Sequence, residues 1–244
     1  MIYVIGKRGY IGASLLDYFG DEAIGIGRAD KFPVFKPTDT IINTASYGWV
    51  PGQEDMEEAI KVNIDLPRKL EKIRNGACLI WFGSGMQRAR PELPYSLTKN
   101  VTTNLLKGKA HIITLYTIYG GKHEPRHRFM GTFLKAAKHG TPYIITTPST
   151  TRDFVHIDRL IDTITELIDE GNNDYQNIDF GCGKPRSLSS VCYYVEEALA
   201  GKPLDNVKYK FPQLDDGLEE YGALRPHLAD YFDEDIRKEW ERIV

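Results

Sequence analysis

Residues 2–12 read Ile-Tyr-Val-Ile-Gly-Lys-Arg-Gly-Tyr-Ile-Gly and decide the fold, because four mostly apolar residues lead directly into a loop with three glycines. The apolar run predicts a buried strand, and the residues after it predict the start of a helix. Glycines at such a junction permit a tight turn and let backbone N–H groups approach a pyrophosphate, whose charge the helix dipole favours. A plain strand-to-helix turn is the alternative interpretation.

Beyond this stretch, short apolar runs alternate with longer amphipathic segments, which indicates βαβ units. We predict an α/β protein, a Rossmann-type doubly wound parallel sheet with a small C-terminal α/β substrate lobe. Residues 1–120 are the expected dinucleotide-binding domain and 121–244 the substrate-binding lobe, with 151–180 returning to the core. The predicted strands are 2–5, 23–26, 40–43, 77–82, 111–116 and 143–146. The predicted helices are 12–18, 56–74, 96–106, 129–139, 158–170 and 189–200.

The composition excludes several classes of protein. A formal charge of -3 and a hydrophobic fraction of 41% give no electrostatic footprint for nucleic acid. The N-terminal segment has no basic region and too short an apolar run for a signal peptide or a membrane span. Cys78, Cys182 and Cys192 lack Cys-x-x-Cys spacing and are interpreted as reduced thiols. We therefore expect a cytoplasmic protein without a nucleic-acid or membrane partner.

The second predicted strand ends at residues 25–28, Gly-Ile-Gly-Arg, where a dinucleotide without a 2′-phosphate usually meets an acidic residue. Arg28, with Arg8 from the glycine loop, predicts charge-assisted hydrogen bonds to the 2′-phosphate of NADP. The sequence thus favours NADP. NAD is the alternative, because Asp30 lies two residues further on and is able to take the acidic role.

Tyr95 and Lys99, one helical turn apart, form the candidate catalytic pair. A tyrosine hydroxyl titrates at about pH 10, and a nearby ammonium lowers that pKa, so the tyrosine can act as a general acid or base. Alone, the pair also fits a half-buried aromatic residue beside a solvated lysine. Residues 80–85 favour catalysis, because they predict a strand whose carboxyl end carries Ser84, a hydroxyl able to hold a substrate oxygen.

Together these motifs resemble the extended short-chain dehydrogenase/reductases, the family of nucleotide-sugar epimerases, dehydratases and ketoreductases. The similar segments run through nearly the whole chain and are 6–12, 42–46, 62–63, Ser84, Tyr95, Lys99, 116–120, 151–158, 179–185 and 224–230. Among them, 151–158, Thr-Arg-Asp-Phe-Val-His-Ile-Asp, is similar to a motif typical of the extended branch. The resemblance implies an NAD(P)-dependent enzyme that acts on a small molecule, a nucleotide sugar.

The resemblance also implies roles for individual residues. The implied cofactor-binding residues are Gly6, Arg8, Gly9, Tyr10, Ile11, Gly12, Arg28, Ala45, Asn63, Tyr95 and Lys99. The implied catalytic residues are Ser84, Tyr95 and Lys99, and the implied substrate-binding residues are Ser84, His127, Arg152 and Arg225. In this assignment Lys99 binds the nicotinamide ribose and Asn63 supports the proton relay. The two arginines bind the substrate diphosphate, with surface ion pairs as their alternative role.

Within the family, residues 6–9 and 82–84 most resemble the NADP-dependent GDP-fucose synthases, which epimerise a keto sugar and then reduce it. Those enzymes carry a cysteine two residues after the serine, whereas Met86 stands here, and a thioether cannot take up a proton. Dehydratases place an acidic pair at the positions of Gly85 and Met86. We therefore expect a 4-ketoreductase or a 4-epimerase. A non-catalytic NAD(P)-binding sensor or scaffold protein is the alternative.

Two segments are shorter than the resemblance implies. Only about a dozen residues separate Arg28 from the strand at 40, so the family's third strand is predicted to be compressed or lost. The loop between Ser84 and Tyr95 is also short, which predicts a more open substrate site. By the same resemblance we expect a homodimer, in which helices near 55–73 and around Tyr95 pair with their copies as a four-helix bundle.

Residues 123–127 read His-Glu-Pro-Arg-His and fit the His-Glu-x-x-His pattern of zinc metalloproteases. Such a zinc site needs both histidines on one face of a continuous helix. Pro125 removes a backbone donor in the middle of the segment and would break that helix. We therefore predict no metal here and retain only His127, as a candidate for substrate binding.

Overall fold

Two compact units make up the chain in the computed structural model, which describes residues 1–48, 52, 53, 55–171, 174–209, 222, 223 and 226–243. The first unit comprises Met1–Leu115 and Leu160–Asp179, and the second comprises Tyr116–Arg159 and Phe180–Val244. The chain therefore leaves the first unit after Leu115, returns to it at Leu160 and leaves it again after Asp179. That one unit binds a dinucleotide and the other a substrate stays a prediction.

Strands and helices alternate along most of the chain. The strands are β1 (Ile2–Ile5), β2 (Ala23–Ile26), β3 (Thr40–Asn43), β4 (Cys78–Ser84), β5 (His111–Leu115), β6 (Thr117–Tyr119), β7 (Tyr143–Ile145), β8 (Thr151–Arg152), β9 (Phe154–His156), β10 (Asn177–Phe180), β11 (Arg186–Ser187) and β12 (Val207–Tyr209). The helices are α1 (Tyr10–Phe19), α2 (Met56–Ile60), α3 (Leu66–Ile73), α4 (Met86–Ala89), α5 (Pro94–Leu106), α6 (Phe129–His139), α7 (Ile157–Asp169), α8 (Leu188–Tyr194) and α9 (Phe232–Arg242). None of the helices described here is long and apolar enough to cross a membrane.

Six strands of the first unit form one sheet in the order β2-β1-β3-β4-β5-β10. The pairs from β2 through β5 are all parallel, and Ile2 lies opposite both Ala23 and Thr40. The chain runs outward from β1 to β2 and then crosses back to β3, so the strand order reverses beside β1. Ligands of such sheets bind at the carboxyl edge next to that reversal. The Rossmann-type α/β fold predicted from the sequence is confirmed.

The core of the first unit packs helices against this sheet. Its buried members are Ile5, Ile26, Phe35, Ile41, Leu70, Ala77, Leu79, Trp81, Leu106, Ala110 and Ile112. Leu70 comes from α3 and Leu106 from α5, so these helices cover the sheet face that carries Trp81. All four residues of β3 are buried, as expected of a central strand covered on both faces.

Residues 27–39, which connect β2 to β3, contain no strand, so the predicted loss of a family strand is confirmed. Phe35 from this connection is only 1% exposed, and its ring meets the Tyr3 ring edge-on at 5.1 Å. The side chain of Asn75 donates a hydrogen bond of 3.1 Å to the Phe35 carbonyl oxygen. One anchored aromatic residue thus closes the core where a strand is absent.

The second unit has its own core and three small two-stranded sheets. β6 pairs with β9 and β7 with β12 in parallel, while β8 and β11 are antiparallel. The helix α9, which the sequence analysis did not predict, supplies Phe232 and Ile236 to this core. Its Asp235 carboxylate accepts hydrogen bonds of 2.9 to 3.2 Å from Arg159 at the start of α7. The C-terminal helix is therefore fixed by both apolar packing and an ion pair.

Residues 123–127 form turns before α6, so the prediction that Pro125 prevents a continuous helix is confirmed. Glu124 has a structural role in this segment, because its carboxylate accepts a hydrogen bond of 2.9 Å from the Gly120 N–H. Burial raises the pKa of Glu124. His127 is exposed.

Candidate active site

The glycine loop between β1 and α1 is packed too closely for side chains at two positions. Gly6 has a φ of 91°, and a Cβ there would lie 2.7 Å from Thr44 Oγ1. A Cβ on Gly12 would overlap the carbonyl oxygen of Gly6. Only glycine therefore allows α1 to begin so close to the strand edge.

The start of α1 lacks a side-chain cap. Gly9 is the N-cap residue, no acidic residue occupies the first turn, and no side chain makes a capping hydrogen bond. Gly9 N donates instead to the Gly6 carbonyl oxygen at 2.9 Å, which closes the turn. Thr44, just after β3, supports the loop by donating to the Ile5 carbonyl oxygen at 2.8 Å. The positive end of the helix thus fits an external anion such as a pyrophosphate.

Asp30, four residues after the end of β2, is hydrogen-bonded beside the glycine loop. Its carboxylate accepts hydrogen bonds from Lys7 Nζ at 2.7 Å and from Gly27 N at 2.8 Å, and these bonds lower the pKa of Asp30. A Cβ on Gly27 would lie 3.2 Å from Lys7 Cε, so the glycine leaves room for the lysine chain. Arg28, in contrast, is 75% exposed, with its guanidinium 3.9 Å from Glu58. Of these two residues, Asp30 therefore makes the shorter polar contacts.

Asn63 connects the loop after β3 to α5. It is fully buried in a π-helical turn, Lys61–Asp65, which interrupts the single helix predicted over 56–74. Its Oδ1 accepts from Tyr47 N at 3.0 Å, and its Nδ2 donates to Tyr47 O at 2.8 Å and to Thr98 Oγ1 at 2.9 Å. Thr102 donates to the Asn63 carbonyl oxygen. The π turn lets one amide side chain hold both segments.

Tyr95 and Lys99 lie one turn apart on α5 and are 8% and 2% exposed. Lys99 Nζ donates a hydrogen bond of 2.8 Å to the Phe82 carbonyl oxygen of β4. The same nitrogen lies 4.6 Å from the centre of the Trp81 ring and 5.8 Å from that of the Tyr95 ring. Burial lowers the pKa of Lys99 to about 7. The structure thus places the pair together, while its catalytic role stays a prediction.

Ser84 is the last residue of β4, at the carboxyl edge of the sheet. Its N–H donates to Gln87 Oε1 at 2.8 Å, and its Oγ accepts from Met86 N at 3.3 Å. Gln87 Nε2 in turn donates to Asn100 Oδ1 at 2.9 Å and to Thr103 Oγ1 at 3.0 Å. The end of β4 is therefore joined to the helix that carries Tyr95 and Lys99.

Known structures match the fold of this chain over almost its whole length, although no protein-family model and no curated protein matches the sequence. An NAD-dependent NDP-hexosamine 5,6-dehydratase involved in tunicamycin biosynthesis has a TM-score of 0.75 at 16% identity, covering 98% of this chain and 96% of that one. A UDP-N-acetylglucosamine 4-epimerase from Methanobrevibacter ruminantium, bound to UDP-N-acetylmuramic acid, has a TM-score of 0.73 at 16% identity, covering 98% and 96%. A UDP-glucuronic acid 4-epimerase from Bacillus cereus, bound to UDP-glucuronic acid and NAD, has 0.70 at 16% identity, covering 99% and 98%.

The chain has the fold of these enzymes. This fold agrees with the one that the family resemblance of the sequence motifs implies. Identity this low shows the fold alone, since one fold supports many activities. The nearer resemblance to GDP-fucose synthases stays a prediction.

In the second unit of this fold, Asp153 from the 151–158 motif organises two loops. Its buried carboxylate accepts from Cys182 N at 3.1 Å, Gly183 N at 2.9 Å and Ala223 N at 3.0 Å. The Cys182 thiol also donates to it at 3.0 Å. Burial, with Asp153, raises the pKa of Cys182 to about 11, so this thiol stays protonated at neutral pH. Asp153 therefore has a structural role in this motif.

The predicted substrate-binding residues of the second unit are only partly described. Arg152 lies in β8 directly opposite Arg186 of β11. Arg186 is paired with Asp230 at 2.7 Å. His127 is exposed in the turn before α6, and Arg225 lies outside the described residues. A role in substrate binding for any of them stays a prediction.

Sequence reasoning missed three residues of the first unit that contact the candidate site: Lys7, Trp81 and Gln87. Lys7 lies inside the glycine loop. The signal for its position was the pair of glycines at 25 and 27, where a Cβ would collide with or crowd the Lys7 side chain. Gln87 lies three residues after Ser84, within reach of that residue's backbone, but its contacts on α5 depend on tertiary packing. Trp81 has the pattern of an ordinary core residue, and nothing in the sequence indicates its contact with Lys99.

Proposed function

We propose that this protein is an NAD(P)-dependent nucleotide-sugar oxidoreductase of the 4-epimerase or 4-ketoreductase type. The observation that carries the proposal is the buried Tyr95 and Lys99 pair, held against the β4 strand that ends in Ser84. A phenol, an amine and a hydroxyl are the groups needed to move a proton on and off a sugar oxygen during hydride transfer. The matching structures include enzymes that bind UDP-sugars and NAD.

The glycine loop fits the dinucleotide that this chemistry requires. Side chains on Gly6 or Gly12 would fill the space where the strand and helix meet, and the first turn of α1 has no side-chain cap. In our proposal the backbone N–H groups near Gly9 bind the pyrophosphate, and Lys99 binds the nicotinamide ribose. The bound nicotinamide would supply the hydride acceptor or donor.

The chain's own residues handle the proton. In the oxidation direction, Tyr95 takes the proton from the sugar hydroxyl while Ser84 Oγ holds the same oxygen by a hydrogen bond. In the reduction direction, Tyr95 returns that proton to the nascent alkoxide. Lys99 is held by the Phe82 carbonyl oxygen, and its protonated, positively charged form stabilises the Tyr95 phenolate.

Two positions after Ser84 limit the reaction type. Gly85 has no side chain, and Met86 has a buried thioether, so neither exchanges protons with a substrate carbon. Dehydration and epimerisation through carbanions need such a group. Oxidation and re-reduction at one sugar carbon do not, which supports the 4-epimerase or 4-ketoreductase assignment.

For the cofactor we favour NAD, although the sequence alone favoured NADP. The carboxylate of Asp30 is fixed at the end of β2, where it is able to accept hydrogen bonds from free ribose hydroxyls and would repel a 2′-phosphate. The Bacillus cereus 4-epimerase structure contains NAD. Lys7, Arg8 and Arg28 supply the cations for NADP if that alternative holds.

We also propose a homodimer. Leu97, Val101 and Leu105 recur every four residues on α5 and are 46%, 45% and 39% exposed. Met56 and Ile60 of α2, both 39% exposed, extend the apolar surface of the neighbouring helix. Pairing of these helices with their copies would cover both rows. A monomeric mass by light scattering at micromolar concentration would contradict this proposal.

The function is tested by offering the purified protein UDP-glucose, UDP-N-acetylglucosamine and UDP-glucuronic acid and following the sugar protons by NMR. We expect one of them to convert to its C4 epimer with dinucleotide retained by the protein. A 4-ketoreductase would instead consume added NADH or NADPH with a 4-keto sugar. Dinucleotide binding without turnover of any of these substrates would favour the sensor or scaffold alternative.

A further inference from the structure

The carboxyl end of β4 extends beyond its neighbour β3. The last register pair between the two strands joins Asn43 to Trp81, so β3 ends before it reaches residues 82–84. In a parallel strand the carbonyl of one residue and the N–H of the residue two further on point to the same side. Phe82 O and Ser84 N therefore share the edge that β3 leaves open.

Side chains replace the missing strand at this edge. Lys99 Nζ donates to Phe82 O at 2.8 Å, and Gln87 Oε1 accepts from Ser84 N at 2.8 Å. The Gln87 amide reaches this position because Gly83 has no side chain, and a Cβ there would lie 2.8 Å from Gln87 Oε1. The backbone on both sides of Gly83 is thus held by polar side chains.

The other end of the Gln87 amide is fixed on α5. Nε2 donates to Asn100 Oδ1 at 2.9 Å and to Thr103 Oγ1 at 3.0 Å. Asn100 directly follows Lys99, and Thr103 donates to the Lys99 carbonyl oxygen at 3.0 Å. One amide group therefore spans from the Ser84 backbone to the turn of helix that carries Lys99.

We propose that Gln87 is a positioning residue, which sets the place of the Ser84 hydroxyl relative to Tyr95 and Lys99. The inference rests on the proposed function and adds a residue that neither the sequence motifs nor the family resemblance indicates. Proton transfer depends on groups held in a fixed geometry, and a displacement of about 1 Å can lower turnover by about a hundredfold. Gln87 acts through the Ser84 backbone and touches no reacting atom.

The test compares Gln87→Met with Gln87→Glu. Methionine keeps the length of the side chain but removes all three hydrogen bonds of the Gln87 amide, so we expect kcat to fall by about tenfold to a hundredfold, with KM and dinucleotide affinity within about twofold of wild type. Glutamate keeps the acceptor for Ser84 N, and the Asn100 amide can turn to donate to it, while the one hydroxyl hydrogen of Thr103 stays on the Lys99 carbonyl oxygen. We expect Gln87→Glu to restore most of the lost kcat.

Arg88→Met is the matched control on α4. Arg88 pairs with Asp179 at 3.2 Å, so its loss removes an ion pair from the same short helix while the Gln87 amide stays in place. Amide exchange at Ser84, measured by NMR, should rise in Gln87→Met and stay unchanged in Arg88→Met. Equal kcat for wild type and Gln87→Met would overturn the inference and leave the proposed function intact. Absence of turnover in the wild type would overturn the proposed function, and with it any catalytic role of Gln87.

Discussion

Lys99 donates its hydrogen bond to the backbone carbonyl of Phe82, in the part of β4 that extends beyond the end of β3. The amine is therefore located by a neutral acceptor and by the face of the Trp81 ring, 4.6 Å away. A carbonyl and an aromatic face offset only part of the cost of burying an ammonium. This explains why burial lowers the pKa of Lys99 to about 7, and it makes the charge of the site sensitive to pH.

The first prediction concerns the pH dependence of stability. Between its folded pKa of about 7 and its usual value of 10.5, Lys99 is neutral in the folded protein and charged in the unfolded chain. The unfolded state then binds more protons, so the free energy of unfolding rises with pH through this window, by at most about 1.4 kcal/mol per pH unit. Urea unfolding at pH 7.5 and pH 9 measures this change.

Lys99→Met lacks the titrating group and should show a smaller increase in stability between the two pH values, whatever its absolute stability. Parallel pH dependence in wild type and variant would mean that Lys99 stays charged when folded.

The second prediction concerns the glycine loop. Gly12→Ala places a Cβ against the Gly6 carbonyl oxygen, so we expect a loss of about 2 kcal/mol or more in the free energy of unfolding and weaker dinucleotide binding. Gly9→Ala is the matched control, because a Cβ there would meet nothing closer than 3.4 Å. Chemical denaturation compares the two. Similar stabilities would show that the loop relaxes around a side chain at position 12.

The third prediction concerns Asn63. Asn63→Ala leaves Tyr47 N, Tyr47 O and Thr98 Oγ1 without their side-chain partner, so we expect a loss of about 2 to 3 kcal/mol. Asn104→Ala, at an exposed position on α5, should change stability by less than about 0.5 kcal/mol. Denaturant midpoints report both values, and equal effects would refute the connecting role of Asn63.

The fourth prediction concerns the choice of dinucleotide. If Asp30 binds the ribose hydroxyls, Asp30→Ala should weaken NADH binding by about tenfold and improve NADPH binding, because the repelling carboxylate is gone. Asp21→Ala, an exposed acid before β2, should leave both affinities unchanged. Nicotinamide fluorescence titration measures each affinity. A wild-type preference for NADPH would restore Arg8 and Arg28 to the role that the sequence favoured.

The sequence predicted the sheet of the first unit because its strands and helices carry local signals. Apolar runs bounded by glycines located β1 and β2 at their observed ends, and the three glycines after β1 indicated the loop. The Tyr95 and Lys99 spacing placed both side chains on one helical face, as found. Helix α9 was not predicted, because most of its residues are charged and only a few apolar ones, such as Phe232 and Ile236, pack in the core.

What the sequence could not supply were contacts between distant segments. The π turn at 61–65 contains Asn63, whose hydrogen-bond partners Tyr47 and Thr98 lie 16 and 35 residues away in the sequence. The sequence favoured Arg28, a cation near the end of β2, over Asp30, because sequence shows residue types and not their orientation, and that choice stays a prediction. Only the tertiary structure reveals that Lys7 and Gly27 hold the carboxylate in place.

The most direct test of the central claim is the turnover of Tyr95→Phe with the nucleotide sugar that the wild type converts. The variant keeps the ring beside Lys99 and removes only the hydroxyl that exchanges the proton in our proposal. We predict that kcat falls by at least about a hundredfold while dinucleotide binding is retained. Turnover within about threefold of wild type would show that another group moves the proton and would contradict the account.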